Sequence, residues 1–209
     1  MHKLYGYQGS GSAAVEAALE LAGVPFQLIS AASWDAASLR DELARVNPLQ
    51  QIPTLVLPDG TVLSESAAIL IHLGSEYPAA RLLPHDGSAR AKAIRGLVYI
   101  AANCYSAISI IDYPERWLAS PSEEAKANLR DGARTRLHIH WDLFAAAFEP
   151  SPFLGGRELG ALDLLVAVVS KWSGARKHLQ SSAPKLAACL AEVERHERVA
   201  PVFARHWKA

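Results

Sequence analysis

Asn47-Pro48-Leu49-Gln50-Gln51-Ile52-Pro53-Thr54-Leu55-Val56-Leu57-Pro58-Asp59-Gly60-Thr61-Val62-Leu63-Ser64-Glu65-Ser66-Ala67-Ala68-Ile69-Leu70-Ile71 is the stretch that decides the fold. Asn47-Pro48 ends any preceding helix, because the proline ring crowds the α conformation of the residue before it. Residues 54–57 form a short apolar run, and Pro58-Asp59-Gly60 is turn chemistry. Thr61-Val62-Leu63 reads as the returning strand of a hairpin. Ser64-Glu65-Ser66 stand where a helix should begin, with Ile69, Leu70 and Leu73 behind them on one face. Acidic and hydroxyl side chains at a helix start satisfy its free N–H groups without any ligand. On the residues alone, Glu65 and Ser66 therefore read as caps. Pro53 cannot donate a ladder hydrogen bond, which sets it just ahead of the first strand of the hairpin.

Upstream, Lys3-Leu4-Tyr5 predicts a short strand, 6–12 a glycine-serine loop and 13–22 an alanine-rich helix closed by Gly23. A second strand over 26–29, a polar loop around Ser33-Trp34 and a helix over 39–46 follow. The order β-α-β-α-β-β-α fits a small α/β sheet of the thioredoxin kind. Residues 79–88 lack periodicity and read as a linker between a first domain, 1–78, and a second, 89–209. The second domain reads as all-helical: 89–111, interrupted at Asp112-Tyr113-Pro114, then 122–148, 160–172, 183–195 and 200–207. The run 160–172 is apolar enough to be a buried central helix.

Twenty-one basic residues balance 21 acidic ones, leaving no net charge to attract nucleic acid or an anionic membrane. No run approaches the roughly 20 apolar residues of a membrane span. Met1-His2-Lys3-Leu4-Tyr5 passes into glycine and serine too soon for a signal peptide. A soluble, cytoplasmic protein is expected. Cys104 and Cys189 lie far apart and form no Cys-x-x-Cys, so no disulfide is expected. His138 and His140, two apart on a helix, face different ways, and no metal-ligand spacing occurs. No metal site is expected.

Asn47-Pro48, Ile52-Pro53 and Glu65-Ser66-Ala67-Ala68-Ile69, in this order and spacing, resemble the glutathione-binding half of the glutathione transferases, of a bacterial-like kind with a serine-type loop. The resemblance extends over essentially the whole chain. It implies glutathione as co-substrate, a thioredoxin-like domain followed by a helical one, and a homodimer. It further implies that Pro53 is cis, that the Ile52 backbone pairs with the cysteinyl part of glutathione, and that Glu65 and Ser66 hold its γ-glutamyl end. Gln51 matches a polar position near the glycyl end. Phe153-Leu154-Gly155-Gly156 ahead of Gly160-Ala161-Leu162-Asp163 is similar to a family stretch in which Ser or Thr caps a helix three residues before a buried Asp. Glycine at 160 is expected to weaken that helix start by a few tenths of a kcal/mol.

Such an enzyme must ionise a thiol whose ordinary pKa is about 8.5. Lowering it by two units requires about 2.7 kcal/mol favouring the thiolate. A hydroxyl donor supplies about 1.5–3 kcal/mol, and a helix N-terminus adds about 0.3–1 kcal/mol. The loop before the first helix offers Tyr5, Tyr7, Ser10 and Ser12. Ser10-Gly11-Ser12 resembles the serine loop of the family, with Ser10 the first choice as donor and Ser12 the second. Ser12 reads equally well as an N-cap. Cysteine-type relatives carry Cys near Gly11, and glycine excludes that mode here. Glu16 stands where many relatives have a basic residue. A pocket for the electrophile is expected between the domains, lined by Tyr105, Ile108, Tyr113 and Trp117 at roughly helical spacing and by Trp172. The implied activity is transfer of glutathione to a small hydrophobic electrophile. The alternatives are a glutathione-dependent isomerase of the maleylacetoacetate isomerase kind, whose Ser-Ser-Cys run is missing here, and a non-catalytic binding protein of the same fold.

Overall fold

The computed structural model describes residues 1–207; the last two residues expected in the second domain, 208 and 209, lie outside the described residues. Strands β1 (His2–Gly6), β2 (Phe26–Ser30), β3 (Thr54–Val56) and β4 (Val62–Leu63) form one sheet in the order β2-β1-β3-β4. β1 runs parallel to β2 and antiparallel to β3, and β3 is antiparallel to β4. A parallel pair needs a long crossover, and α1 (Ser12–Ala22) supplies it. Strand alternation sends side chains to opposite faces. Leu4 and Leu55, paired in register, lie in the core cluster shared with α1 and α3 (Ser66–Glu76). Their neighbours Tyr5 and Ile29 turn the other way, into a second cluster with Leu43 of α2 (Arg40–Val46). This is the thioredoxin-like layering expected from the element order. Gly23 closes α1 in the left-handed conformation, φ 66°, with its N–H bonded to the Glu20 carbonyl.

The remainder is helical. α4 (Gly87–Tyr99), one wide π turn (Ile100–Tyr105) and α5 (Ser106–Asp112) run on as a single helix of 26 residues. By length and composition alone this helix is apolar enough to cross a membrane, which corrects the sequence reading that no stretch approaches one. Its small residues raise the mean hydropathy without making a contiguous apolar run. In this fold Leu97, Ile100, Cys104 and Ile108 bury one face of it in the helical core. A 3₁₀ turn (Pro114–Trp117) leads to α6 (Glu123–Ala147), whose start is capped by Ser122 Oγ accepting from Ala125 N at 3.1 Å. α7 (Ala161–Val169) is buried at every position, as its sequence requires. α8 (Ala175–Ser182), not anticipated from the sequence, then leads to α9 (Pro184–Arg195) and α10 (Ala200–His206).

The start of α7 corrects another expectation. Asp163 Oδ2 accepts from Gly160 N at 2.9 Å, and Oδ1 accepts from Leu154 N at 2.8 Å. A Cβ on Gly160 would lie 2.9 Å from the Leu82 carbonyl oxygen, which accepts from Ala161 N at 2.8 Å. Glycine is the residue that lets the two backbones meet, so its presence is not a weakness of the helix.

Candidate functional site

Asn47 organises the turn ahead of β3. Its buried amide donates to the Gln51 carbonyl at 3.2 Å and to Thr54 Oγ1 at 2.9 Å, while its carbonyl oxygen accepts from Leu49 N. Thr54 Oγ1 donates to the same Gln51 carbonyl at 2.7 Å. The Ile52-Pro53 bond is cis. Among the described residues, no other backbone group engages the N–H or C=O of Ile52. Both remain open to an extended ligand.

Beside this turn lies a cavity of about 770 Å³. Gln51, Ile52 and Pro53 line it, together with Glu65 and Ser66 from the start of α3. Glu65 has φ 65° and ψ 112°, a conformation that costs a non-glycine residue of order 1–3 kcal/mol. It makes no side-chain cap bond to α3. The simple cap reading of Glu65 therefore lacks its hydrogen bond, and the strain aims the residue at the cavity.

The loop before α1 sorts its four hydroxyls. Tyr5 is buried and donates to Glu42 Oε1 at 2.7 Å; burial, then that bond, push its pKa up to about 12. Tyr7 donates to Asp35 Oδ2 at 2.7 Å. Neither lines the cavity. Ser10 does, and Ser12, fully buried, stands behind it. Ser12 Oγ accepts from Tyr7 N at 3.2 Å and lies 2.8 Å from Ser10 Oγ, against 3.4 Å from the Tyr7 carbonyl. Ser10 Oγ also accepts from Ser12 N at 3.2 Å. With the shorter contact taken as the donated one, a chain runs from Tyr7 N–H through Ser12 O–H to Ser10 and leaves the Ser10 proton for the cavity. Ser12 does not cap α1 with its side chain; it is the first helical residue, after Gly11. Of the two serine candidates, only Ser10 reaches the cavity.

A second support was not visible in the sequence. Gly9 N donates to His206 Nδ1 at 3.1 Å, and His206 Nε2 lies 2.8 Å from Glu16 Oε2. Since Nδ1 accepts, Nε2 carries the proton and donates it to the carboxylate. Arg205 pairs with the other Glu16 oxygen, Nε to Oε1 at 3.0 Å. Burial pushes the Glu16 pKa up, but the bonds from His206 and Arg205 outweigh it and hold the carboxyl below its ordinary value. The acidic residue at 16 thus has a structural partner set, delivered by α10.

The wall from the helical part is the face 101, 105, 108, 109 and 112 of the long helix. Tyr105 and Ile108 were expected there, as were Tyr113 and, from beyond α7, Trp172; all four line the cavity. Trp117 does not. It sits at the outer end of the 3₁₀ turn, 56 % exposed, because Pro114 breaks the helical spacing that had placed it on the same face. Missed were the polar members Ser106, Ser109, Asp112 and Arg116, and Trp34 on the loop after β2. The same spacing that selects Ile108 also selects Ser109 and Asp112, so a reading not confined to apolar residues finds them. Burial raises the Asp112 pKa, and the Arg116 guanidinium lies 4.0 Å from the Tyr113 ring centre. Cys104 and Cys189 are free and buried, and burial pushes each thiol up to about 12. Among the described residues no His, Cys, Asp and Glu side chains cluster so as to hold a metal.

The chain has relatives among known proteins and solved structures. Residues 12–76 match the family model of the glutathione S-transferase N-terminal domain. The chain is 33 % identical to the uncharacterised GST-like protein YncG of Escherichia coli K12 over 190 residues, covering 90 % of both chains. It is 29 % identical to a maleylpyruvate isomerase of a Ralstonia species, covering 76 % of this chain and 74 % of that one. Among solved structures, a glutathione transferase homologue from Sulfitobacter with bound glutathione superimposes with a TM-score of 0.84 at 24 % identity, over 97 % of this chain and 96 % of the other. Identity at this level across nine-tenths of both sequences, joined to that fold, makes this chain a member of the glutathione S-transferase family.

Proposed function

We propose that this chain is a cytoplasmic, homodimeric glutathione transferase that ionises the glutathione thiol and directs it at a small hydrophobic electrophile. The observation that carries the reading is the place of Ser10, which lines the cavity that holds cis-Pro53, Glu65 and Ser66 and whose Oγ lies 2.8 Å from Ser12 Oγ. Ile52 pairs with the cysteinyl backbone, and Gln51 meets the glycyl end. Glu65 and Ser66 take the γ-glutamyl end, where an ammonium facing a carboxylate makes a charge-assisted bond. The thiolate attacks the electrophilic carbon, a C–S bond forms, and the leaving group departs or the product carbon takes up a proton. Ile108 and Trp172 supply apolar contact for the electrophile, with Tyr113 at the rim. The boundary at 79–88 separates the two contributions, the first domain binding glutathione and the second its partner.

Titration calorimetry with glutathione, and thiolate absorbance of the complex across pH, test this reading. Ser10→Ala is expected to raise the bound thiol's pKa by about 1–2 units, the equivalent of one hydrogen bond to a charged group, with little change in affinity. Glu65→Ala should weaken binding about tenfold or more. A protein that does not bind glutathione would be the non-catalytic relative instead. The similarity to maleylpyruvate isomerase favours a second reading, in which the thiolate adds to a cis double bond, permits rotation and leaves again. Turnover of maleylpyruvate without net consumption of glutathione separates isomerisation from transfer.

A further inference from the structure

Gly11 has no conformational reason to be glycine: its φ of −62° and ψ of −15° are open to any residue. The reason is spatial. A Cβ built on Gly11 would lie 2.0 Å from the Tyr105 hydroxyl oxygen and 3.7 Å from Pro53 Cδ. The phenol therefore fills the place that a side chain at position 11 would take, one residue from Ser10 and beside the cis proline.

The rest of the phenol's setting is as specific. Tyr105 closes the π turn, and such turns within α-helices recur at functional sites. Asn103 Nδ2 donates to the Tyr99 carbonyl at 3.0 Å, and Ser106 Oγ donates to the Ala102 carbonyl at 2.7 Å, so side chains satisfy the widened turn. The ring leans on Trp172, with centroids 5.7 Å apart. Ser66, at the start of α3, lines the same cavity as the phenol. Burial moves the phenol's pKa far above its ordinary value, so at neutral pH the group is a donor and not a base.

We infer that Tyr105 is a catalytic residue: its hydroxyl, carried by the helical domain, donates a hydrogen bond to the glutathione sulfur alongside Ser10. The inference rests on the function proposed above. The thiol proton passes to solvent, Tyr105 keeps its own, and an O–H···S⁻ bond holds the thiolate. Two donors from two domains mean that the thiol ionises fully only when the domains are packed together.

The geometry supplies its own rescue experiment. Tyr105→Phe removes the hydroxyl and keeps the ring, and is expected to raise the pKa of bound glutathione by about 1–2 units, with turnover at pH 7 falling about tenfold or more. Gly11→Ser alone should clash with the phenol. Gly11→Ser combined with Tyr105→Ala, which leaves no ring to collide with the new side chain, puts a hydroxyl close to where the phenol oxygen stood, and should recover most of the thiolate at pH 7. Melting curves and glutathione affinity accompany each variant. A wild-type complex with a thiolate band that Tyr105→Phe leaves in place overturns the assignment while the proposed function stands. Loss in Tyr105→Phe with no recovery in the double variant overturns it as well, since the position of the oxygen would not matter. A wild-type complex with no thiolate at neutral pH overturns the proposed function and this assignment together.

Discussion

Glu16 in α1 and Asp163 in α7 are both buried helical carboxylates, and their pKa values move in opposite directions. Glu16 faces a guanidinium and an imidazole N–H from α10, which hold its pKa below the ordinary value. Asp163 accepts from the backbone amides of Leu154 and Gly160 and from the Cys189 thiol, all neutral, and burial pushes it up to about 6. The contrast ranks the forces: two or three neutral donors do not repay the desolvation of a carboxylate, whereas a charged partner does. It also separates the two jobs. Glu16 binds a distant helix to the loop that carries Ser10, and Asp163 ties its own helix start to the segment just before it.

The largest expected effect comes from breaking the charged member. Glu16→Gln leaves Arg205 without its buried partner and should cost about 3–4 kcal/mol in urea unfolding, toward the low end for a buried pair because Arg205 is half exposed. A loss no larger than that of an exposed surface pair, about 0–1 kcal/mol, would erase the distinction.

The neutral member should show in pH. The folded pKa of Asp163, about 6, lies above its ordinary 3.8, so the folded state holds this proton longer than the unfolded one. Its stabilising contribution is complete below pH 4 and declines as pH rises to 6. The decline amounts to about 2–3 kcal/mol, taking each pKa unit as about 1.4 kcal/mol. Asp163→Asn, measured by denaturant unfolding between pH 4 and 7, should remove that component of the slope. A component that increases stability with pH would mean that Asp163 behaves like Glu16.

The smallest effect concerns the backbone that Asp163 serves. Gly160→Ala stiffens the unfolded chain, which elsewhere gains about 0.4–1 kcal/mol. Here the added carbon meets the Leu82 carbonyl at 2.9 Å, and a net loss of about 1 kcal/mol is expected in thermal melts.

What was legible in the sequence was local or linked to a motif. The strands, the hairpin and the Gly23 cap follow from periodicity and turn residues within a few positions of one another. Ile52-Pro53 and the start of α3 were readable because the spacing between motifs is itself a signal. Ser10 and Ser12 could not be told apart, because the difference is which oxygen faces outward, and that depends on the Tyr7 amide and a 2.8 Å contact. Trp117 was misplaced because helical spacing was carried through Pro114. α8 escaped because it begins after Gly174, at φ 80°, within a run that reads as turn and charge. Nothing local announced the meeting of Tyr105 with Gly11, or of His206 with Gly9; both depend on tertiary packing. The glycines at 11 and 160 were legible only as departures until the neighbouring chain showed what filled their place.

The bond from Gly9 to His206 spans 197 positions of sequence. A ribosome emits residue 9 early and residue 206 long afterwards, so the emerging sheet spends most of its synthesis with an unfinished serine loop. Cavity, cis turn and sheet edge can all be in place while that loop lacks its last hydrogen bond. A nascent chain of this protein therefore carries that loop without its last hydrogen bond until α10 has been made and has docked.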